Sequence, residues 1–131
     1  MAVLVTGGAG YIGSAFVEQL LAAGEEAVIL DDLSRGHRGA LHPDAPFYEG
    51  RTGDRDLVAG IAGEHDLDAC VHFAAFAYVG ESVTEPGRYY DNNFTQAQTL
   101  FETLVEAGVK RVVFSSTCAT YGVPQEVPIP E

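Results

Sequence analysis

The chain has 131 residues, of which 47% are hydrophobic, so it can bury a core of its own, and its length fits one domain. Nineteen acidic residues against seven Lys and Arg give a formal net charge of −12, which repels nucleic-acid phosphates and anionic membranes alike. We therefore expect no nucleic-acid or membrane partner, and a phosphate ligand would need local compensation from backbone N–H groups or the few arginines.

Apolar runs and their breakers predict strands that alternate with helices along the chain. Strands are predicted at residues 2–6, 27–30, 47–48, 69–73 and 111–115. Helices are predicted over residues 11–23, after an Asp54 cap to about Gly63, and from about Gly87 to Ala107. Continuous apolar strands between helices are typical of a parallel sheet covered on both faces. We predict an α/β domain over residues 1–122, followed by an extended proline-rich tail over 123–131.

A glycine-rich turn lies between the first predicted strand and the first predicted helix. Gly7, Gly10 and Gly13 follow a G-x-x-G-x-x-G spacing, which in this strand-to-helix context indicates dinucleotide binding. We expect Gly7 to allow a sharp turn, Gly10 to leave room for a pyrophosphate, and Gly13 to allow close packing, with free N–H groups facing the anion. The motif predicts a Rossmann-like, doubly wound parallel sheet with strand order 3-2-1-4-5 and helices on both faces.

Two acidic residues follow the second predicted strand. Asp31 and Asp32 lie roughly 20 residues after Gly13, where an acid in this fold receives the adenosine ribose hydroxyls. Such an acid repels a 2′-phosphate, so the sequence favours NAD over NADP as the cofactor. Arg35 and Arg38 lie near enough along the chain to weaken that preference.

The cysteines and histidines do not have the spacing of a metal site, so we predict no metal. Cys70 and Cys118 lie in apolar surroundings and are predicted to be buried, inert thiols. His72 lies in a predicted buried strand, which favours a core histidine with a satisfied hydrogen bond. The remaining histidines are predicted to lie in solvent-facing loops: His37, His42 and His65. No apolar run approaches the roughly 18 residues needed to cross a bilayer, and we expect a cytoplasmic protein.

An ordered series of motifs extends well beyond the glycine turn. It comprises VLVTGGAGYIGS, DDLSRG, VHFAAFAYVGESV, PGRYYDNN, AGVKRVVFSST and ATYGVPQEVPIPE. From Val3 to Glu131 this series resembles the N-terminal part of the extended short-chain dehydrogenase/reductase family, and within it the UDP-glucose (UDP-galactose) 4-epimerases. The resemblance implies NAD as the cofactor and a UDP-sugar as the substrate, which is oxidised at C4 to a 4-keto intermediate and reduced again from the other face.

The resemblance also implies roles for individual residues. Thr117 takes the place of the Ser or Thr that hydrogen-bonds the 4-hydroxyl of the sugar and takes part in acid–base catalysis. The residues implied in cofactor binding are Gly7, Gly10, Tyr11, Ile12, Gly13, Asp31, Asp32, Ser34, Gly36, Arg51, Thr52, Phe73, Ala74, Ala75, Asn92 and Ser115. Without the resemblance, the hydroxyls around Thr117 would be read as an exposed strand end.

The sequence departs from the family pattern at several positions. The family base is a tyrosine in Tyr-x-x-x-Lys, but the only lysine here is Lys110, with Glu106 four residues before it. We therefore expect an NAD-binding portion that lacks the substrate domain and is inactive alone. Arg51 stands where the family has an Asp that commonly contacts adenine, and a guanidinium cannot accept a hydrogen bond from the adenine amine. Gln96 replaces a frequent Gly, which we expect to alter packing on that helix.

Two other functional classes stay open at this point. One is a non-catalytic nucleotide-binding or structural module in which Arg51 marks lost adenine recognition. The other is the same half of another sugar-nucleotide epimerase, dehydratase or decarboxylase, although the run over residues 79–82 favours the 4-epimerases. The resemblance further implies a possible homodimer through the helix at about residues 87–107.

Overall fold

A parallel β-sheet forms the centre of the protein. The computed structural model describes residues 1–130, apart from the side chain of Cys118. Its five strands lie side by side in the order β3-β2-β1-β4-β5, and every neighbouring pair is parallel. The strands are β1 Ala2–Thr6, β2 Glu26–Asp31, β3 Phe47–Glu49, β4 Ala69–His72 and β5 Arg111–Phe114. The predicted Rossmann-like α/β fold and its strand order are confirmed.

Helices connect the strands and cover both faces of the sheet. They are α1 Tyr11–Ala22, α2 Arg55–His65, α3 Val79–Thr84, α4 Pro86–Tyr90 and α5 Gln96–Glu106. The helical stretch predicted from about Gly87 to Ala107 is confirmed, since residues 86–106 are helical without a break, and within it a π-helical turn, Asp91–Thr95, separates α4 from α5. Single π-helical turns inside helices often occur at functional sites, because the extra residue changes the direction of the side chains around it.

The core consists of two layers, one on each face of the sheet. Side chains alternate along each strand, so Leu4 and Leu30 point to one face while Val5 and Ile29 point to the other. Helices α2 and α5 pack on the first face, and α1 packs on the second through Val17. The three central strands, β1, β2 and β4, are therefore buried on both sides, which explains why they read as continuous apolar runs, whereas the edge strand β5 is exposed.

The buried cysteine and histidine of β4 have the surroundings that the sequence predicts. Cys70 is fully buried, and burial raises the pKa of its thiol to about 12, so it is an inert core residue. His72 is buried as well, and its Nδ1 lies 2.7 Å from the Thr6 hydroxyl. The prediction of a loop position for His65 is wrong, because it ends α2 and its Nε2 lies 2.7 Å from the Tyr48 hydroxyl.

Other predictions are not decided by the structure. The predicted burial of the Cys118 side chain lies outside the described residues. Residues 123–130 contain no helix or strand, while the division of the chain at residue 122 stays a prediction.

Helix α2 begins with a side-chain cap that accounts for its position. The carboxylate of Asp54 accepts a hydrogen bond from the backbone N–H of Leu57 at 3.1 Å, as the sequence predicts. We expect Asp54→Ala to lower the free energy of unfolding by about 1 kcal/mol, because the first turn of the helix loses this acceptor. Urea denaturation measures the change. Asp56→Ala, in the same turn but not at the cap, is the control, and an equal loss in both variants would contradict the capping role.

Candidate cofactor site

A cleft opens at the carboxyl ends of the central strands. The chain passes from β1 to β2 on one side and later returns to β4 on the other side of β1, so the sheet reverses its order of winding next to β1. Ligands of open α/β sheets bind outside the strands at this kind of position. The residues that line this central cleft are Gly7, Gly10, Leu30, Asp31, Asp32, Ser34, Arg35, Gly36, Gly50, Arg51, Thr52, Phe73, Ala74, Ala75, Phe76, Asn92 and Gln96.

The glycine turn between β1 and α1 needs two of its glycines for its own folding. Gly7 has φ +74°, and a Cβ there would lie 2.8 Å from the backbone nitrogen of Ala74. A Cβ on Gly13 would lie 2.2 Å from the carbonyl oxygen of Gly7, far inside van der Waals contact. The sharp turn predicted for Gly7 is confirmed, and Gly13 allows α1 to begin directly against the turn.

Gly10, in contrast, is not required by the packing of the chain. Its φ is −83°, which any residue adopts, and an added Cβ would meet only the carbonyl oxygen of Gly7 at 3.2 Å. It lines the central cleft and directly precedes α1, whose first turn has no side-chain cap. The N–H groups at the start of this helix are therefore available to an acceptor, and the space that a side chain at Gly10 would fill is open to a ligand.

Asp31 lies at the end of β2, beside the glycine turn. Its carboxylate accepts hydrogen bonds from the backbone N–H groups of Ala9 at 3.0 Å and Leu33 at 2.8 Å. Each carboxylate oxygen takes one of these bonds and keeps a further lone pair. The carboxylate is thus held in one orientation at the lining of the cleft and can accept two more hydrogen bonds, as a ribose diol requires.

An ion pair joins the two sides of the cleft across the end of β1. The Arg35 guanidinium, in the segment after β2, lies 2.6 Å from the carboxylate of Glu81 in α3, which follows β4. The Tyr89 hydroxyl, 2.7 Å away, and then Arg35 lower the pKa of Glu81. The guanidinium also lies over the Phe76 ring, 5.4 Å from its centroid. These contacts hold the Arg35 guanidinium against Glu81, which also pairs with Arg88 at 3.2 Å.

A cluster of polar side chains lies at the end of the cleft beyond Asp31. Arg51 lies 2.7 Å from Asp91 in the π-helical turn, and the same Asp91 oxygen accepts a hydrogen bond from Nε2 of Gln96 at 3.1 Å. Thr52 is buried beside them. Gln96 packs on Gly53, where a Cβ would lie 2.9 Å from the Gln96 Cγ, and the altered packing expected from Gln96 stays a prediction.

Most predicted site residues meet in the central cleft, and a few do not. Tyr11, Ile12 and Gly13 form the first turn of α1 but do not line it, and neither do Ser115 and Thr117. The Thr117 side chain instead accepts a hydrogen bond from the N–H of Ala119 and caps a short 3₁₀ helix, Cys118–Tyr121. The lining residues to which the sequence assigned no cofactor role are Leu30, Arg35, Gly50, Phe76 and Gln96.

Comparison with known proteins identifies the family of the chain. Residues 3–131 match the NAD dependent epimerase/dehydratase family. The chain belongs to this family. Among curated epimerases, the UDP-glucose 4-epimerase of Streptococcus mutans is 51% identical over 133 aligned residues, which is 100% of this chain and 40% of that protein. The chain therefore spans about 40% of the length of the relatives it matches.

Solved structures of epimerases have the same fold. The UDP-glucose 4-epimerase of Brucella ovis in complex with NAD has a TM-score of 0.90 and 42% identity, with 97% of this chain and 39% of that chain covered. The enzyme of Stenotrophomonas maltophila, with bound NAD and formylated UDP-arabinopyranose, has a TM-score of 0.92 and 37% identity, with 98% and 40% covered.

No helix in residues 1–130 has the length and apolar character of a membrane span. Over the same residues, no three or more His, Cys, Asp and Glu side chains come together as metal ligands would.

Proposed function

We propose that this chain is the NAD-binding portion of a UDP-sugar 4-epimerase. One observation carries the proposal: the glycine turn, the fixed carboxylate of Asp31 and the ends of β1, β2 and β4 surround one cleft at the point where the sheet reverses. Family membership and the NAD-containing structures of relatives support it. The activity of a complete epimerase, its substrate and its assembly are parts of the same proposal.

The residues of the cleft fit the cofactor. The open space at Gly10 and the first-turn N–H groups of α1 suit a pyrophosphate, which also answers the need for local compensation in a chain of net charge −12. The free lone pairs of Asp31 suit a ribose diol. NAD, when bound, supplies the hydride acceptor and donor for C4 of the sugar. The chain's own residues bind and orient it, and Thr117 is proposed to hold the sugar hydroxyl.

The preference for NAD over NADP follows from the charges around the ribose position. Asp31 repels a 2′-phosphate, and the two nearby arginines are both paired, Arg35 with Glu81 and Arg38 with Glu49. We expect calorimetric titration of the chain to show NAD binding at least about tenfold tighter than NADP, a difference of about 1.4 kcal/mol. Glu81→Gln removes the charge that pairs with Arg35. The variant should therefore bind NADP more tightly than the wild type does, and the ratio of NADP to NAD dissociation constants should fall.

Glu85→Gln is the matched control, because Glu85 is an exposed carboxylate next to α3 that lies 3.8 Å from Arg88 and, among the described residues, pairs with no other cation. It should leave the preference unchanged. Equal affinities for NAD and NADP in the wild-type chain would overturn the proposed role of Asp31. The same sample should not convert UDP-galactose, because no Tyr-x-x-x-Lys occurs in its sequence. Measurable conversion would contradict the need for that motif.

A non-catalytic module is the second candidate, and Arg51 is the observation that favours it. If the chain folds cooperatively but binds no NAD at millimolar concentration, this candidate replaces the epimerase proposal. The sugar also stays open, because one structural relative contains a modified UDP-pentose.

A homodimer and a cytoplasmic location stay predictions. The dimer is supported by exposed apolar side chains along α4 to α5, at Tyr90, Phe94 and Val105.

A further inference from the structure

Two departures from the family pattern, 45 positions apart in the sequence, meet at one end of the central cleft. The resemblance places Arg51, after β3, where the family has an Asp, and Gln96, at the start of α5, where a Gly is frequent. Both side chains bind Asp91, Arg51 at 2.7 Å and Gln96 at 3.1 Å. The two changed side chains are therefore joined through one carboxylate.

Asp91 fixes which way the Gln96 amide faces. Hydrogen bonds from Gln96 and then from Arg51 lower the pKa of Asp91, so its carboxylate is ionised at neutral pH and can only accept. The Gln96 atom beside it must then be the donor Nε2, and Oε1 lies on the other side of the amide. Asp91 also holds the Arg51 guanidinium, which is thereby directed to a partner outside the cleft lining.

The Gln96 amide keeps an unused hydrogen-bond acceptor, Oε1, although only 6% of the residue is exposed. Within residues 1–130, Oε1 has no hydrogen-bond partner, and yet no side-chain polar atom there is both fully enclosed and unpaired. Oε1 therefore keeps some exposed surface, and Gln96 lines both the central cleft and the neighbouring depression beside Asp54 and Thr99. The Gln96 stem packs on Gly53, so the amide is held in place rather than free to turn away.

This acceptor lies at the end of the cleft where a purine would sit. From the glycine turn, the lining continues through Asp31 to Gly50, Thr52 and Gln96. With a pyrophosphate on the turn and a ribose on Asp31, the base attached to that ribose reaches this end. We propose that Oε1 of Gln96 accepts a hydrogen bond from the exocyclic amine of adenine, the function that Arg51 cannot perform. This inference rests on the proposed binding of NAD.

The test compares NAD with nicotinamide hypoxanthine dinucleotide, in which a carbonyl oxygen replaces the adenine amine. We expect the wild-type chain to bind NAD about five- to tenfold tighter, because Oε1 would face another acceptor in the hypoxanthine compound. Gln96→Met, which keeps the length of the side chain and removes the acceptor, should bring the ratio of dissociation constants to about one. Gln98→Met on the exposed side of α5 is the matched control and should keep the wild-type ratio.

A second variant tests the same idea without changing Gln96. Asp91→Asn can donate as well as accept, so the Gln96 amide is no longer fixed and the ratio should fall to about two- or threefold. Asp91 is exposed, so this variant keeps a folded chain available if Gln96→Met does not fold.

Failure of the proposed adenine contact can be distinguished from failure of the proposed NAD site. If the wild-type chain binds NAD but Gln96→Met or Asp91→Asn keeps its full preference, Gln96 does not read the base, while the NAD site stands. A wild-type preference for the hypoxanthine compound would assign the base to Arg51 as donor and overturn the inference. Absence of NAD binding overturns both.

Discussion

Gly10→Ala is expected to abolish most NAD binding while the chain stays folded. The added methyl group meets only the Gly7 carbonyl oxygen at 3.2 Å, so the free energy of unfolding should fall by less than about 1 kcal/mol. The same methyl group occupies the space next to the first-turn N–H groups of α1, where we place the pyrophosphate. We therefore expect at least a tenfold loss of NAD affinity, about 1.4 kcal/mol, by calorimetry.

Gly13→Ala should have the opposite profile. Its methyl group would lie 2.2 Å from the Gly7 carbonyl oxygen and 2.9 Å from the Gly8 Cα, and backbone atoms cannot move aside as a flexible side chain does. We expect a loss of about 2 to 4 kcal/mol in unfolding free energy, measured by urea denaturation. Comparing Gly10→Ala with Gly13→Ala thus distinguishes a glycine that leaves room for a ligand from a glycine that the packing of the chain requires.

Gly60→Ala serves as the control for the glycine-to-alanine change itself. Gly60 lies inside α2, and an added Cβ there has no atom within 4 Å. Because alanine restricts the unfolded chain and favours helix, this variant should gain up to about 1 kcal/mol and bind NAD as the wild type does. If folded Gly10→Ala binds NAD with wild-type affinity, the pyrophosphate does not lie at the glycine turn.

The fold could be predicted from the sequence because its strongest signals are local. A strand buried on both faces is a continuous apolar run, and β1 at Ala2–Thr6 is bounded at once by the glycine turn. Site residues that directly follow a predicted strand, such as Gly10 and Asp31, could be predicted in the same way. Thr117 shows the limit, because a hydroxyl at a strand end has the same sequence whether it caps a 3₁₀ helix or binds a sugar.

The parts that could not be predicted depend on which polar side chains meet in three dimensions. Arg35 and Glu81 are 46 residues apart, and only the folded chain shows that their ion pair crosses the cleft. The π-helical turn is another example, since the helical pattern there is continuous in sequence. For Gln96 the sequence did contain a signal, because Gln96 and Arg51 both depart from the family pattern. Two such departures in one site suggest that one residue has taken over a function that the other has lost.

A buried histidine should make the stability of the chain depend on pH below neutrality. His72 is 2% exposed, lies 5.5 Å from the Phe101 ring and 5.7 Å from the Phe114 ring, and has Thr6 as its hydrogen-bond partner. Burial lowers the pKa of His72 to about 4, from an ordinary value of 6.5. The unfolded chain therefore binds the proton more tightly than the folded chain between these two values.

The sign of the effect follows from that difference. The stabilisation due to neutral His72 is fully present above pH 6.5 and is lost as the pH falls towards 4. We expect about 3 kcal/mol to be lost over the whole range, and about 2 kcal/mol between pH 7.5 and pH 5. Carboxyl groups with a lowered pKa, Glu81 and Asp91, contribute only below their ordinary values of 4.5 and 3.8, so the window above pH 5 reports on the histidine.

The measurement is urea denaturation of two variants at pH 7.5 and pH 5. His72→Gln keeps a side chain that can bond the Thr6 hydroxyl but does not titrate, so it should be less stable at pH 7.5 and lack the additional loss at pH 5. His37→Gln makes the same change at an exposed loop position and should keep the wild-type loss. A wild-type pH dependence that survives in His72→Gln would show that another group is responsible.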